Sequence, residues 1–298
     1  MAFEQTSLAA RFREQHRAGR LLLPNAWDAA SARVFEEAGF QAIGTTSAGI
    51  AYTQGFQDGE HLGRDSMIRI VTTIVRAVSC PVTADIEGGY GVSAADVAQT
   101  IDAVVDAGAV GVNLEDGVHG PAAGLLIDID RQCARIAAAR ELADRRGVGL
   151  VINARTDTFL LNLGSDVDER VAMTLERGKA YLRSGADLVF VPLLVDTMLV
   201  RRLAGELRGL ISLMALPGAP SAGELFAAGA ARVSIGQMAM LTTLGSIKQI
   251  AAELRDHGTW RSIERTFYGF AEAEALFTHR SAVWEDSPEG YPQTPPYK

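Results

Sequence analysis

Eight short apolar segments recur along this chain, and longer amphipathic stretches separate them. Each segment is rich in Val, Ile or Leu, as strands buried on both faces of a parallel sheet are. They are Leu21–Asn25, Ala42–Thr46, Val82–Asp85, Gly111–Glu115, Leu150–Arg155, Leu188–Pro192, Ile211–Met214 and Arg232–Ile235. The stretches between them have a helical period, among them Ala29–Ala38, Arg64–Val78, Ala94–Ala107, Ile129–Arg146 and Asp166–Ser184. Eight strand–helix units predict a (β/α)8 TIM-type barrel.

Helix boundary signals support this architecture. Ser93 and Asp96, like Ser221 and Glu224, have the spacing of a capping box, in which hydroxyl and carboxylate satisfy free amides of the first turn. An open doubly wound sheet is the alternative. It requires a glycine-rich phosphate loop after the first strand, where this chain has PNAWDAAS.

We expect one barrel domain over residues 1–298. An N-terminal helix is predicted for 1–19, the barrel for 20–255, a C-terminal helical extension for 256–285 and a flexible tail for 286–298. The helical C-terminal region carries more aromatic side chains than one barrel helix needs, and such an appendage can pack on a neighbouring subunit. These side chains are Trp260, Phe267, Tyr268, Phe270 and Phe277.

Composition narrows the classes of partner. The formal net charge of −8 argues against nucleic acid or a membrane surface, because phosphate contacts need clustered Lys and Arg. Cys80 and Cys133 lack a metal-ligand spacing and are predicted to be reduced, buried thiols. No stretch approaches the roughly 18 apolar residues of a membrane span, and the N-terminus lacks the apolar core of a signal peptide. We expect a cytoplasmic protein whose partner is a small carboxylate substrate.

Carboxylates follow two neighbouring strands of the predicted barrel. Asp85 and Glu87 are two residues apart, so on an extended strand end both point to one side, and Glu115 ends the next strand. The active site of such a barrel lies at this end of the strands. Three converging carboxylates repel one another unless a cation neutralises them, and all-oxygen ligands suit Mg²⁺, with Mn²⁺ as an alternative. Arg155, at the end of the fifth strand, supplies a planar cation for a substrate carboxylate.

A structural role is the competing interpretation. Carboxylates at strand ends often cap helices or pair with Lys and Arg, and Asp116 and Asp157 fit that role as well as a catalytic one. Function is favoured for the group as a whole, because three adjacent strands end in D-x-E, E-D and R-x-D.

The same residues carry a family resemblance. The runs PNAWDAASARVFEEAGFQAIGTTSAGIAY, VTADIEGGYG, GVNLEDG and INARTDTF resemble the isocitrate lyase/phosphoenolpyruvate mutase superfamily, including its 2-methylisocitrate lyases and carboxyphosphonoenolpyruvate phosphonomutases. The resemblance covers roughly residues 20–255, in order. It implies a Mg²⁺-dependent barrel whose eighth helix is swapped between subunits, in a homodimer or homotetramer. Members make or break C–C or C–P bonds next to an α-keto acid through a metal-stabilised enolate.

The resemblance also assigns roles around the metal. Asp85 matches the direct metal ligand, while Glu87 and Glu115 match acidic residues that hold metal-bound waters. Asp58, in the run GFQDGE, matches an acidic residue near the metal and is a candidate catalytic group.

A second set of matches concerns the substrate. Arg155 matches the substrate-binding arginine and is also expected to act in catalysis by stabilising charge on the keto oxygen. Thr46, Ser47 and Ala48 match the turn whose hydroxyl and amides bind the substrate carboxylate. Ser212, near a family Asn position, is a further substrate-binding candidate.

The loop after Glu115 departs from the family pattern. Lyases carry KKCGH there, and phosphonate enzymes carry an Asn, whereas this chain has DGVHGPAAGLLID. His119 is the candidate acid/base in this loop, since its pKa lies near neutrality. A solvent-exposed histidine without a catalytic role is the alternative.

The end of the sixth strand also departs from the family pattern. It reads Phe190-Val-Pro-Leu, where the lyases have a Glu that helps bind the substrate. A long tricarboxylate would leave charges unpaired there, which disfavours isocitrate and 2-methylisocitrate.

These observations predict a Mg²⁺-dependent carbon–carbon lyase of the isocitrate lyase/PEP mutase type, acting on a small α-keto or 2-hydroxy acid. The alternatives are C–P chemistry, as a phosphonomutase or phosphonopyruvate hydrolase, and an oxaloacetate decarboxylase-like activity. A protein that binds an α-keto acid without turning it over is a further alternative, because the loop lacks the usual acid/base.

Overall fold

The computed structural model describes residues 2–120 and 123–278. In this part of the chain, short strands alternate with helices and pair in parallel throughout. The strands are β1 Leu21–Leu23, β2 Asn25–Ala26, β3 Ile43–Thr45, β4 Val82–Asp85, β5 Gly111–Glu115, β6 Val151–Arg155, β7 Leu188–Val191, β8 Ile211–Met214 and β9 Arg232–Ser234. The eight predicted strands are therefore confirmed, each to within one or two residues.

The first predicted strand is divided at Pro24. Its first part, β1, pairs with β9, and its second part, β2, pairs with β3. Proline has no amide hydrogen and cannot continue a ladder on both sides. The sheet order β1-β9-β8-β7-β6-β5-β4-β3-β2 thus begins and ends on one continuous segment, and the parallel sheet closes into the predicted (β/α)8 barrel.

The five helices predicted from the periodicity are present, with bounds that differ by at most one residue. The described helices are α1 Ala2–Ala18, α2 Ala29–Glu37, α3 Ser47–Thr53, α4 Arg64–Ala77, α5 Ala94–Asp106, α6 Ile129–Arg145, α7 Val167–Arg183, α8 Thr197–Glu206, α9 Ala222–Ala227, α10 Met238–His257, α11 Arg261–Thr266 and α12 Phe270–Ala275. Both predicted capping boxes are present, at Ser93 and at Ser221. Among the described helices, none combines the length and apolar character needed to cross a bilayer.

Helix α1 contributes to the barrel interior. Phe12 is completely buried, and a Cβ added at Gly111 on β5 would lie 2.8 Å from its ring. Arg13 pairs with Asp187 at 2.5 Å and donates to the Leu150 carbonyl, which fixes α1 to the segments that lead into β6 and β7. The apolar interior is continuous around Phe12 because β5 has no side chain at Gly111.

The chain divides into two compact units, Met1–Gly245 and Ser246–Lys298. In the second, Glu253 accepts hydrogen bonds from the Thr259 hydroxyl and from the amides of Arg261 and Ser262, which organises the turn before α11. The five aromatic side chains predicted to pack on a neighbouring subunit are all exposed, and that packing remains a prediction. The end of the predicted extension and the tail 286–298 lie outside the described residues, and the predicted domain bounds stay predictions.

Candidate active site

A cavity of about 160 Å³ opens where the barrel strands end, and we call it the strand-end cavity. Its polar wall includes Asp58, Asp85, Asn113 and Arg155, together with the turn Thr46-Ser47-Ala48 that opens α3. Its apolar wall is formed by Leu160, Phe190, Pro192 and Met214. A cavity of roughly 150 Å³ holds a ligand of about six heavy atoms, so this one fits a small acid.

Asp85 ends β4 and is half-buried in the polar wall. Its Oδ2 accepts from the backbone amide of Ser47 at 3.1 Å and from the Ser47 hydroxyl at 2.9 Å. Its Oδ1 lies 3.4 Å from Nδ2 of Asn113 on the next strand. The Asp85 amide in turn donates to Thr45 Oγ1, which anchors the residue to β3. The predicted metal ligand therefore faces the cavity, and Ser47 donates to that ligand.

Glu87 does not share this direction. Its backbone has a φ of 52°, so the chain leaves the extended conformation after Asp85. The buried Glu87 carboxylate accepts from the amides of Gly59 and Glu60 and from the Tyr90 hydroxyl, and it does not line the cavity. The two-residue spacing that predicts a common side is overridden by this left-handed turn.

Asp58 reaches the cavity from the loop after α3. The residue is exposed, yet neighbouring groups displace part of the water around its carboxyl. This desolvation, and then the negative charge of Asp85, raise the pKa of Asp58. Burial, followed by the charges of Asp58 and Asp85, raises the pKa of Glu87 to about 7. These three carboxyls therefore form one electrostatic group.

The donor chemistry of this group fits a hard divalent cation, because it combines excess negative charge with oxygen ligands alone. No three Asp, Glu, His or Cys side chains within residues 2–120 and 123–278 surround a single point closely enough to hold a metal by themselves. A cation at this place would be held by Asp85, with water and substrate oxygens completing its shell. The resemblance likewise implies Asp85 as the direct ligand, and this role remains a prediction.

Arg155, at the end of β6, forms ion pairs with two carboxylates. Its Nε donates to Oδ1 of Asp157 at 2.6 Å, and a terminal nitrogen donates to Oδ2 at 3.1 Å. The other terminal nitrogen pairs with Oε2 of Glu115. Burial lowers the pKa of Arg155, but the charges of Glu115 and Asp157 outweigh this effect and raise the pKa above its ordinary value. Glu115, expected near the metal, instead contacts this arginine, whose two remaining N–H groups are left for a ligand.

His119 lies on the far side of Glu115. Its Nε2 is 2.7 Å from Glu115 Oε1, although the N–H is not aligned as a hydrogen bond. Burial lowers the pKa of His119, but contact with Glu115 and the charges of Glu60 and Glu87 outweigh it and raise the pKa to about 9. Burial raises the pKa of Glu115, although the charges of Arg155 and His119 act to lower it. Because Glu115 contacts Arg155 as well as His119, we place the proton on His119. His119 does not line the strand-end cavity.

Asp116 has the structural role that the sequence left open. It is completely buried and accepts from Arg177, from the Tyr181 hydroxyl at 2.6 Å and from the Asp157 amide. Burial raises the pKa of the Asp116 carboxyl against these donors. Asp116 therefore fixes the backbone at Asp157, whose side chain holds Arg155.

A polar chain inside the barrel connects to Asp85 and was not predicted. Asn113 accepts from Nδ2 of Asn153 at 2.9 Å and from Arg232 at 3.3 Å, while it donates to Asp85. Ser212, expected to bind substrate, is completely buried, accepts from Asn153 at 3.4 Å and does not line the cavity. The available signal was the presence of Asn and Arg within otherwise apolar strands.

Comparison with known proteins identifies the family. A family model described as phosphoenolpyruvate phosphomutase matches residues 12–255, most of the chain. The chain belongs to the phosphoenolpyruvate phosphomutase family. A solved structure from Burkholderia cenocepacia J2315, described as a "putative phosphonomutase", is 42% identical, with a TM-score of 0.77 over 82% of this chain and 98% of that one.

Several of the similar curated proteins are described as lyases. A "Probable 2-methylisocitrate lyase 1" of Corynebacterium glutamicum is 30% identical over 80% of this chain and 78% of its own length. The 2,3-dimethylmalate lyase of Eubacterium barkeri is 30% identical over 61% of this chain and 62% of its own length. The predicted superfamily membership is thereby confirmed.

Proposed function

We propose that this member of the phosphoenolpyruvate phosphomutase family is a Mg²⁺-dependent carbon–carbon lyase acting on a small α-keto or 2-hydroxy acid. The observation that carries the proposal is the division of the strand-end cavity into a charged wall and an apolar wall. Asp58, Asp85 and Arg155 line the first, while Phe190 and Met214 belong to the second.

The carboxylate and keto or hydroxyl oxygens of a substrate fit the charged wall. Arg155 would bind an oxygen through the N–H groups that Asp157 and Glu115 leave free. The first turn of α3 also lies at this wall, where Ser47 already donates to Asp85 and the Ala48 amide is a further donor. Because Arg155 is held on two sides, it needs little reorganisation when charge develops on the substrate.

Asp85 would hold the metal directly. Glu87 and Glu115 would contribute negative charge near the metal without binding it. A divalent cation at this place stabilises negative charge on a substrate oxygen. Asp58 is the acid/base that the cavity offers, because it lines the cavity and the pKa of its carboxyl is raised by desolvation and by the charge of Asp85. In a lyase it would remove the proton of a 2-hydroxyl group or deliver a proton to carbon after the bond breaks.

The apolar wall determines the class of substrate. Of the residues that the structure describes around this cavity, Arg155 is the one cation, and it already faces two carboxylates. A substrate carboxylate against Phe190 and Met214 would be desolvated without a partner, so every carboxylate of the substrate must lie at the charged wall. We therefore propose a substrate whose distal part is a small alkyl group, consistent with the similarity to a lyase of 2,3-dimethylmalate.

The test is a product assay with Mg²⁺ and a panel of methyl-substituted malates and α-keto acids, read out as pyruvate, glyoxylate or CO₂. We expect release of an α-keto acid from at least one of them, and a loss of at least about 1,000-fold in Asp85→Ala. Asp65→Ala, an exposed residue of α4, is the control. If D85A retains the activity of the unmutated protein, Asp85 is not the metal ligand.

Carbon–phosphorus chemistry is the second candidate, favoured by the 42% identity to the Burkholderia protein described as a phosphonomutase. Incubation with phosphonopyruvate, followed by ³¹P NMR, separates the two activities, because breaking the C–P bond moves the phosphorus signal. Mg²⁺-dependent binding of an α-keto acid without any product would instead support a binding protein.

A further inference from the structure

A second cavity is lined by His119, which contacts Glu115, and it shares no lining residue with the strand-end cavity. It has a volume of about 170 Å³, close to the 160 Å³ of the first. The hairpin after β5 forms one wall, in which Gly117 and Leu126 pair as an antiparallel bridge and the Val118 amide donates to the Leu125 carbonyl. The cavity is therefore built into the loop where this chain departs from the family pattern.

Two arginines of α6 line this cavity. Arg131 uses Nε to donate to the Val92 carbonyl at 3.2 Å, and its two terminal nitrogens have no partner among the residues the structure describes. Arg135 is 1% exposed; its terminal nitrogens donate to Gln132 and to glycine carbonyls, while its buried Nε has no hydrogen-bond partner there. A buried guanidinium with an unmet donor is costly unless a ligand or charge compensates it.

One carboxylate opposes these cations. Glu60 lines the cavity, and its Oε1 already accepts from the Tyr90 amide at 2.6 Å. The protonated His119 in the same wall is balanced by Glu115, so two arginines and one glutamate leave a net charge of +1, which a monoanion balances. The remaining wall includes the apolar side chains Val92, Val118 and Ile127. The cavity thus combines a site for one negative charge with a surface for a short carbon chain.

We propose that the second cavity binds a small monocarboxylate, with its carboxylate at Arg131 and its carbon chain against Val92, Val118 and Ile127. Arginine suits this role because its planar fork matches a carboxylate. The volume limits the ligand to about six heavy atoms, the size of isobutyrate.

The position of this cavity gives it a route to the proposed active site. His119 lines it and contacts Glu115, which pairs with Arg155 in the strand-end cavity. A ligand that displaces His119 changes the contacts of Glu115 and therefore the charge around Arg155. The two sites are thus expected to be coupled, and such coupling must act equally in both directions.

Isothermal titration of the full-length protein with isobutyrate tests the site, and neutral isobutyramide of nearly the same shape is the ligand control. We expect binding of isobutyrate and at least about tenfold weaker binding of the amide. Arg131→Gln should weaken isobutyrate binding about tenfold, and Val92→Phe, which fills the cavity from an exposed position, should abolish it. Arg145→Gln, an exposed residue of the same helix, should leave binding unchanged.

Val92→Phe also separates the two cavities, because Val92 does not line the strand-end cavity. Isobutyrate binding that survives both V92F and R131Q would overturn the proposal, as would equal binding of the amide. Titration with oxalate, a probe for the strand-end cavity, in the presence and absence of isobutyrate tests the coupling. If isobutyrate leaves the dissociation constant of oxalate unchanged, the two cavities are not coupled. This conclusion holds whether or not the protein has the proposed lyase activity.

Discussion

Arg155 and Asp157, two residues apart at the end of β6, form a bidentate ion pair with N–O distances of 2.6 and 3.1 Å. Both side chains lie below one-fifth exposure, so solvent screens the pair little. The Asp157 amide is itself held by Asp116. The candidate substrate-binding cation is therefore positioned by the segment that directly follows its own strand, before any ligand enters.

Replacing Asp157 by Asn should lower kcat/KM about tenfold. The amide keeps the size of the side chain but loses the charge-assisted pair, which contributes roughly 1.5 kcal/mol. Steady-state kinetics on the active substrate measure the effect. Asp168→Asn, which breaks an exposed ion pair with Arg202, is the matched control and should leave the kinetics unchanged. Equal kcat/KM in D157N and the unmutated protein would show that Glu115 alone positions Arg155.

Gly117 has no side chain, which leaves space for the Asp157 carboxylate of the same ion pair. A Cβ at this position would lie 2.7 Å from Oδ2 of Asp157. Gly117→Ala should therefore displace the Asp157 carboxylate and reduce kcat/KM in the direction of D157N. Gly205→Ala is the control, since nothing lies within 4 Å of its added Cβ and the helical position should gain about 0.5 kcal/mol. Kinetics and thermal unfolding of both variants decide the matter, and unchanged kinetics in G117A would contradict the steric argument.

The sequence predicted the barrel well because its signals are local. Runs of Val, Ile and Leu mark the strands, and capping residues mark the helix starts, so that β4, β5 and β8 begin and end at the predicted residues. The position of the site follows from the fold, because the strand ends meet at one rim. Asp85 and Arg155 could therefore be expected to face one cavity, and both do.

The directions in which individual side chains point could not be predicted from the sequence. Glu87 leaves the cavity because its own backbone has a positive φ, which no residue pattern around it required. Glu115 binds Arg155 and His119 instead of joining Asp85, since a nearby cation neutralises a buried carboxylate as a metal would. The contact between Glu115 and His119 could not be predicted, because it depends on the geometry of the hairpin after Glu115. That segment does not follow the family pattern, so its sequence did not indicate the geometry.

Glu87 should make the stability of the metal-free protein depend on pH. Its pKa is about 7 when folded against an ordinary 4.5, so the folded state binds the proton more tightly. Stability is then greatest below pH 4.5 and falls as the pH rises towards 7, by up to about 3 kcal/mol for this group. Glu87→Gln should remove that loss.

Urea unfolding in EDTA at pH 5 and pH 8.5 tests this prediction. Glu87→Gln should gain stability over the unmutated protein at pH 8.5, and its advantage should shrink at pH 5. Glu141→Gln, an exposed carboxylate of α6, controls for the change in net charge. An advantage that is the same at both pH values would mean that the carboxyl does not titrate in this window.

Arg232 allows stability and function to be separated inside the barrel. It is 1% exposed, its one hydrogen bond goes to Asn113, and its Nε and one terminal nitrogen have no partner among the described residues. Burial lowers its pKa to about 10, against the attraction of Asp85. A buried charge with so few partners is a net cost to folding, and replacing it by a hydrophobic residue of similar length is often stabilising by 1–4 kcal/mol.

Arg232→Met should therefore unfold at a higher urea concentration than the unmutated protein. The same change removes a positive charge that Asp85 attracts, so we expect Asp85 to bind Mn²⁺ more tightly, measured by electron paramagnetic resonance. Arg232→Lys, which keeps the charge, should leave the Mn²⁺ affinity close to that of the unmutated protein. A variant that is destabilised by several kcal/mol would show instead that the guanidinium is fully compensated, because breaking a satisfied buried pair has that cost.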